Sequence, residues 1–189
     1  MSFFPSYLNL NNKKILLIGG GYIALEKLEK LIDFTTNITV IAKEISPNLL
    51  EFANRYNIVI KQKSYKKGDI DGFDIVIVAT NTIDLHEEIY KESRNSRILV
   101  NSVDDTAYCD FIFPSYIKKG DLTISISTSG ASPAMAKRVR LYIENLIPSN
   151  IGEFLKEMRN LRKSMPKGKD RMRFFEEKSD KYMQKYFKQ

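Results

Sequence analysis

The chain has 189 residues, 43% apolar and 28% charged, which suits a buried core and excludes a disordered or fibrous chain. No apolar run approaches the roughly 18 residues that span a bilayer. One cysteine and one histidine exclude an internal disulfide and a Cys/His zinc site within one chain.

The formal charge of +7 invites a nucleic-acid reading, but its distribution argues against one. Residues 1–150 hold 18 Lys+Arg against 17 Asp+Glu, and residues 151–189 hold 12 against 6. The excess therefore lies in the C-terminal fifth, whose apolar stripes are suited to packing. The opening MSFFPSYLNLNNKK lacks the basic-then-apolar layout of a signal peptide, and a cytoplasmic location is expected.

In chain order, residues 14–18 (KILLI) form an apolar run that ends on Gly19-Gly20-Gly21, as a buried parallel strand would. Ile23, Leu25, Leu28, Leu31 and Ile32 then recur at helical spacing. Residues 38–42 (ITVIA) predict a second strand, and Ser46-Pro47 opens a helix with an N-cap and a proline in the first turn. A weak third strand at 58–60, a strong fourth at 74–79, a helix over 83–92 and a fifth strand at 97–103 complete the half. Strands separated by helices of this length predict βαβ units and a parallel sheet; an α+β domain is the alternative.

The pattern changes after residue 110. Residues 111–117 and 122–128 predict a hairpin through Lys118-Lys119-Gly120-Asp121. Ser132-Pro133 opens a helix to about residue 146, and helices follow over 153–164 and 170–187. Phe154, Met158, Leu161 and Met165 share one face of the first, and Phe175, Tyr182, Met183 and Tyr186 one face of the second. The fold class expected is α/β: a Rossmann-type parallel sheet over residues 1–113, a small α+β dimerisation segment over 114–147, and a C-terminal helical region over 148–189.

Three clusters carry chemistry. Gly19-Gly20-Gly21-Tyr22-Ile23-Ala24 matches G-x-G-x-x-G/A between a strand and a helix, the dinucleotide-binding arrangement; a tight structural turn is the plain alternative. Gly19 makes the turn, Gly21 lets the backbone approach a pyrophosphate, and Ala24 allows close helix packing, with the helix N-terminus toward the anion. A ribose-binding acid is expected about 20 residues on, yet the second strand ends in Lys43-Glu44, which leaves NAD against NADP open.

The second cluster, Asn101-Ser102-Val103-Asp104-Asp105, follows the fifth strand at the ligand-binding edge of such sheets. A carboxylate there can accept a proton or coordinate a metal, or cap its own backbone. Asp110 reads as structural. The third cluster, residues 127–133 (STSGASP), places hydroxyls and a glycine before a helix carrying Lys137, Arg138 and Arg140, an anion cradle or an ordinary N-cap. His86, in a polar LHEE stretch, is expected to face solvent, and Cys109 to act as a small apolar residue. No metal ligand is assigned.

Together, GGG-x-x-A, IVIVATNT (75–82), VNSVDD (100–105), CDFIFPS (109–115) and ISTSGASPAMAKRVR (126–140) resemble the precorrin-2 dehydrogenase family, the dehydrogenase/ferrochelatase module of siroheme synthase. The resemblance covers about residues 1–150, and the last three motifs are its most specific part. From 151 onward it extends only to helical character.

The resemblance implies NAD-dependent oxidation of precorrin-2 to sirohydrochlorin, with Fe²⁺ insertion by the same site in some members. It implies a stand-alone enzyme and a homodimer that exchanges residues 113–147. It places the catalytic aspartate at Asp104 and nucleotide contacts at Tyr22, Ile23, Lys43 and Glu44; the motif residues Gly19, Gly20, Gly21 and Ala24, and Thr80 after the fourth strand, complete the expected cofactor site. The carboxylate-rich tetrapyrrole would be met by Thr128, Ser129, Gly130 and Ser132, with the basic tail as a further source of cations. An NAD-binding sensor module without catalysis is the alternative, although it leaves CDFIFPS and STSGASP unexplained.

Overall fold

The computed structural model describes residues 3–103 and 105–187, so Asp104 lies outside the described residues. Five strands, β1 (Ile15–Ile18), β2 (Ile38–Ala42), β3 (Val59–Gln62), β4 (Ile75–Val78) and β5 (Leu99–Ser102), pair in parallel in the order β3-β2-β1-β4-β5. Every residue of β1 and β4 is buried, which explains why these central strands read as unbroken apolar runs rather than alternating ones. Each fully buried Leu or Ile contributes roughly 2 kcal/mol by removal from water. At the edge, β3 leaves Val59 exposed.

The crossovers carry α1 (Tyr22–Ile32), α2 (Pro47–Arg55) and α3 (Ile83–Ser93). Strand order reverses on the two sides of β1, so the crevice between the carboxyl ends of β1 and β4 is the ligand-binding position of a Rossmann-type sheet. Ser46 Oγ accepts from Leu49 N at 3.4 Å, and Pro47 fills the first helical position of α2, as the Ser-Pro pair predicts. The chain packs as two compact units, and this first one runs to Ile112.

The second unit begins at Phe113. Strands β6 (Ser115–Lys119) and β7 (Leu122–Ile126) form an antiparallel hairpin closed by Gly120-Asp121, with Gly120 at φ +60°. A β-carbon on Gly120 would meet the Gly152 α-carbon at 2.9 Å, so this turn is glycine for close approach as well as for φ. Helices α4 (Pro133–Leu146), α5 (Ile151–Ser164) and α6 (Lys169–Tyr186) follow. Ile117, Ile147, Ile151 and Tyr182 share a core with the half-buried Phe154, whose ring stacks on Tyr182 at 4.0 Å. The Tyr182 hydroxyl donates to Asn150 Oδ1 at 2.8 Å. Lys119 Nζ donates to the carbonyls of Glu144 (3.2 Å) and Ile147 (3.0 Å), capping α4 with a cation. The hairpin and the C-terminal helices therefore stabilise one another.

Two expectations shift. The first hairpin strand starts at Ser115 rather than residue 111, because the stretch before it is tied back to β5 by side-chain hydrogen bonds. Of the predicted α6 stripe, Phe175 and Tyr182 are buried while Met183 and Tyr186 remain exposed. Among the described residues no helix is long and apolar enough to cross a membrane.

Candidate functional site

The glycine turn divides its labour. Gly19 adopts φ +132°, and a β-carbon there would lie 2.1 Å from the Ala79 carbonyl oxygen. One on Gly20 would lie 2.0 Å from the Glu44 carbonyl oxygen and 2.9 Å from Ala42 Cβ. These two glycines let β1 exit between the ends of β4 and β2. Gly21 has open space where its β-carbon would go, so its backbone can be approached from outside. It is the N-cap of α1 and makes no side-chain cap, which leaves the first amides of that helix for an anion. Ala24 is buried, with its β-carbon 3.5 Å from the position a Gly19 side chain would take.

Around this turn stand the other predicted cofactor residues. Lys43 and Glu44 are exposed directly after β2; the Lys43 carbonyl accepts from Gln62 Nε2 at 3.4 Å. Tyr22, the first residue of α1, is 77% exposed, and Ile23 is half-buried. Thr80 leaves β4 with its hydroxyl accepting from Thr82 N at 3.2 Å. Ile83, the first residue of α3, is 74% exposed at the same sheet edge.

At the end of β5, Asn101 and Ser102 are buried. Cys109 organises the segment that follows. Its sulfur accepts from Ser102 N at 3.2 Å and Asn101 Nδ2 at 3.6 Å, and its thiol faces the carbonyls of Ser102 (3.1 Å) and Asp105 (3.3 Å). Burial pushes the thiol's pKa up, so it is a neutral hydrogen-bonding group rather than a nucleophile. Cys109 is thus more than the small apolar residue expected. Asp105 Oδ1 caps its own backbone at Ala107 N, 3.0 Å away. Asp110 is structural: Arg94 grips its two oxygens at 2.8 and 2.6 Å, and Val100 N donates at 2.8 Å. Burial would raise that carboxyl's pKa, but the Arg94 and Val100 hydrogen bonds outweigh it and hold the group below the usual range.

His86 departs from expectation. It is 5% exposed, on the inner face of α3 with Ile89 and Ser93, and its Nε2 lies 2.8 Å from the Thr80 carbonyl oxygen. The spacing of three to Ile89 and seven to Ser93 marks that face, but the adjacent Glu87 and Glu88 disguise it.

In the second unit, the loop before α4 is bound to itself. Ser129 N donates to Ser127 Oγ, Ser132 N to Thr128 Oγ1, and Met135 N to Ser132 Oγ. Ser129 and Gly130 sit at φ +51° and +87°. Hydroxyls that accept from backbone amides keep their own protons to donate, so Thr128 and Ser132 remain donors toward an anion. Lys137 and Arg138 are exposed on α4, while Arg140 pairs with Glu144 at 2.5 Å.

A family model described as "Putative NAD(P)-binding" matches residues 6–115. The chain belongs to that family. A second model, "Sirohaem biosynthesis protein central", matches residues 119–146. The chain is 34% identical over 180 residues to siroheme synthase of Methylococcus capsulatus, covering 93% of this chain and 38% of that protein. It is 33% identical over 152 residues to siroheme synthase of Pseudoalteromonas translucida, covering 80% of this chain and 32% of that protein. The chain therefore spans between 32% and 38% of the length of these two relatives. Its structure superposes on SirC, a precorrin-2 dehydrogenase, with a TM-score of 0.75 at 26% identity, covering 89% of this chain and 85% of that one.

Proposed function

We propose that the chain oxidises precorrin-2 to sirohydrochlorin with NAD as hydride acceptor. The observation that carries the reading is the open approach to Gly21 beneath the uncapped α1 N-terminus, in a chain similar to SirC over most of its length. That approach fits a dinucleotide: a side chain on Gly21 would fill the space that a pyrophosphate needs. Bound there, the nicotinamide supplies the hydride-accepting carbon.

The chain's own residues do the rest. Amides of the glycine turn and α1 hold the pyrophosphate, and Glu44 accepts from ribose hydroxyls. Asp104, two residues after Ser102 in the chain, takes the proton that leaves as hydride is lost. The hydroxyls of Thr128 and Ser132, the Ser129-Gly130 turn and the cations of α4 receive the substrate's carboxylates. Asp104→Ala tests the assignment: precorrin-2 oxidation is lost while NAD still binds, and full activity in that variant contradicts it.

The same reading carries a homodimer in the cytoplasm. Met135, Val139, Tyr142 and Leu146 recur at spacings of four, three and four on α4 and are all exposed, an apolar stripe suited to a second copy. Fe²⁺ insertion is a separate arm. Sirohydrochlorin and Fe²⁺ incubated with the protein without NAD read it directly: insertion above the uncatalysed rate assigns the second activity, and background insertion confines the chain to oxidation.

A further inference from the structure

His86 is the one histidine of the chain, it is buried, and nothing in the proposed chemistry uses it. Its partner fixes its chemistry. A carbonyl oxygen only accepts, so the Nε2 that lies 2.8 Å from Thr80 O carries the proton. In the neutral ring Nδ1 is then an acceptor, buried and without a hydrogen-bond partner among the described residues. If packing alone set this position, an aliphatic side chain would serve the inner face of α3 beside Ile89 without stranding a nitrogen. The imidazole instead directs an N–H at the Thr80 carbonyl, which an aliphatic side chain cannot do.

The N–H is aimed at a decisive peptide. Thr80 follows Ala79, whose amide donates to Ile18 O at 2.8 Å and whose carbonyl stands 2.1 Å from where a Gly19 β-carbon would be. The Thr80 hydroxyl is oriented in turn by Thr82 N. The strand end that borders the glycine turn is therefore held from three sides, and its last carbonyl is held by His86.

We propose that His86 is a positioning residue for the dinucleotide: by donating Nε2–H to the Thr80 carbonyl it sets the peptide and the hydroxyl of Thr80 against the cofactor. The proposal rests on the reading of the glycine turn as an NAD site. It concerns geometry transmitted through Thr80, with no contact between His86 and the reacting atoms.

The test compares wild type, His86→Leu and His86→Gln by NAD titration, and by steady-state kinetics with precorrin-2. His86→Leu is expected to raise the Kd and KM for NAD about tenfold, the scale of one lost hydrogen bond, without moving the KM for precorrin-2. Gln places an amide N–H at similar reach and restores NAD affinity to within about twofold of wild type. Unchanged NAD affinity in His86→Leu, or no rescue by Gln, overturns the proposal. Wild type that binds no NAD defeats the cofactor reading itself, and the proposal with it.

Should the Leu variant not fold, nitrogen NMR of wild type decides, since the one histidine gives unambiguous ring signals. A neutral ring protonated at Nε2, with signals that move on saturation with NAD, supports the proposal. A proton on Nδ1, or signals indifferent to NAD, overturns it.

Discussion

Gly19 and Ala79 stand so close that a β-carbon on the glycine would lie 2.1 Å from the Ala79 carbonyl oxygen. The obstacle is backbone, which cannot rotate away, and the φ of +132° adds strain for any other residue. Gly19→Ala is expected to lower stability by at least ~2 kcal/mol. Gly21→Ala meets open space, so it leaves the melting temperature near wild type and weakens NAD binding instead. Thermal unfolding with NAD titration separates the two; equal destabilisation by both would contradict this division of roles.

The carboxylate of Asp110 predicts an acid limb. Its folded pKa lies below the ordinary value because hydrogen bonds from Arg94 and Val100 outweigh the opposing effect of burial. A depressed pKa means stability that is fully present above the unfolded carboxylate value and lost as pH falls toward the folded one. Asp110→Asn should cost about 1–2 kcal/mol at neutral pH, discounted because the Arg94 side chain is 40% exposed. It should also flatten the loss of stability on acidification. Urea midpoints at neutral and acid pH measure both effects, and parallel curves for variant and wild type would refute the account.

The proposed function gives Glu44 a preference between nucleotides as its consequence. Its carboxylate, exposed beside the Gly20 turn, suits ribose hydroxyls and repels a 2′-phosphate. Glu44→Ala is expected to weaken NAD about tenfold while NADP binding is unchanged or improved. Parallel titrations with the two nucleotides check this, and equal losses for both would assign the ribose contact elsewhere.

The α4 stripe predicts the oligomeric state. A charge at Val139 or Leu146, as in Val139→Glu or Leu146→Glu, is expected to give a monomer by sedimentation while the circular dichroism of the fold is retained. A wild-type monomer, or charged variants that still dimerise, would remove the stripe from the interface.

The parallel sheet and its glycine turn were legible because the information is local. ILLI (15–18) and IVIV (75–78) are buried on both faces and therefore read as unbroken apolar runs, and Gly19-Gly20-Gly21 punctuates the first of them. What the sequence concealed depends on partners that no helical or strand periodicity marks. Asp110 is matched by Arg94, sixteen residues back, and Cys109 by the backbone of Ser102 and Asp105. His86 was hidden differently, because two neighbouring glutamates obscure a face that Ile89 and Ser93 mark. Phe111 has strand composition, yet its carbonyl accepts from Asn101 Nδ2, and the hairpin strand starts only at Ser115.

The central claim, that this NAD(P)-binding chain catalyses a tetrapyrrole oxidation, is tested most directly by mixing purified protein with precorrin-2 and NAD and following both chromophores. The account predicts sirohydrochlorin and NADH in equal amounts with wild type, and neither with Asp104→Ala despite intact NAD binding. Wild type that binds NAD yet leaves precorrin-2 unchanged and forms no NADH would contradict it, and would point to a nucleotide-sensing module.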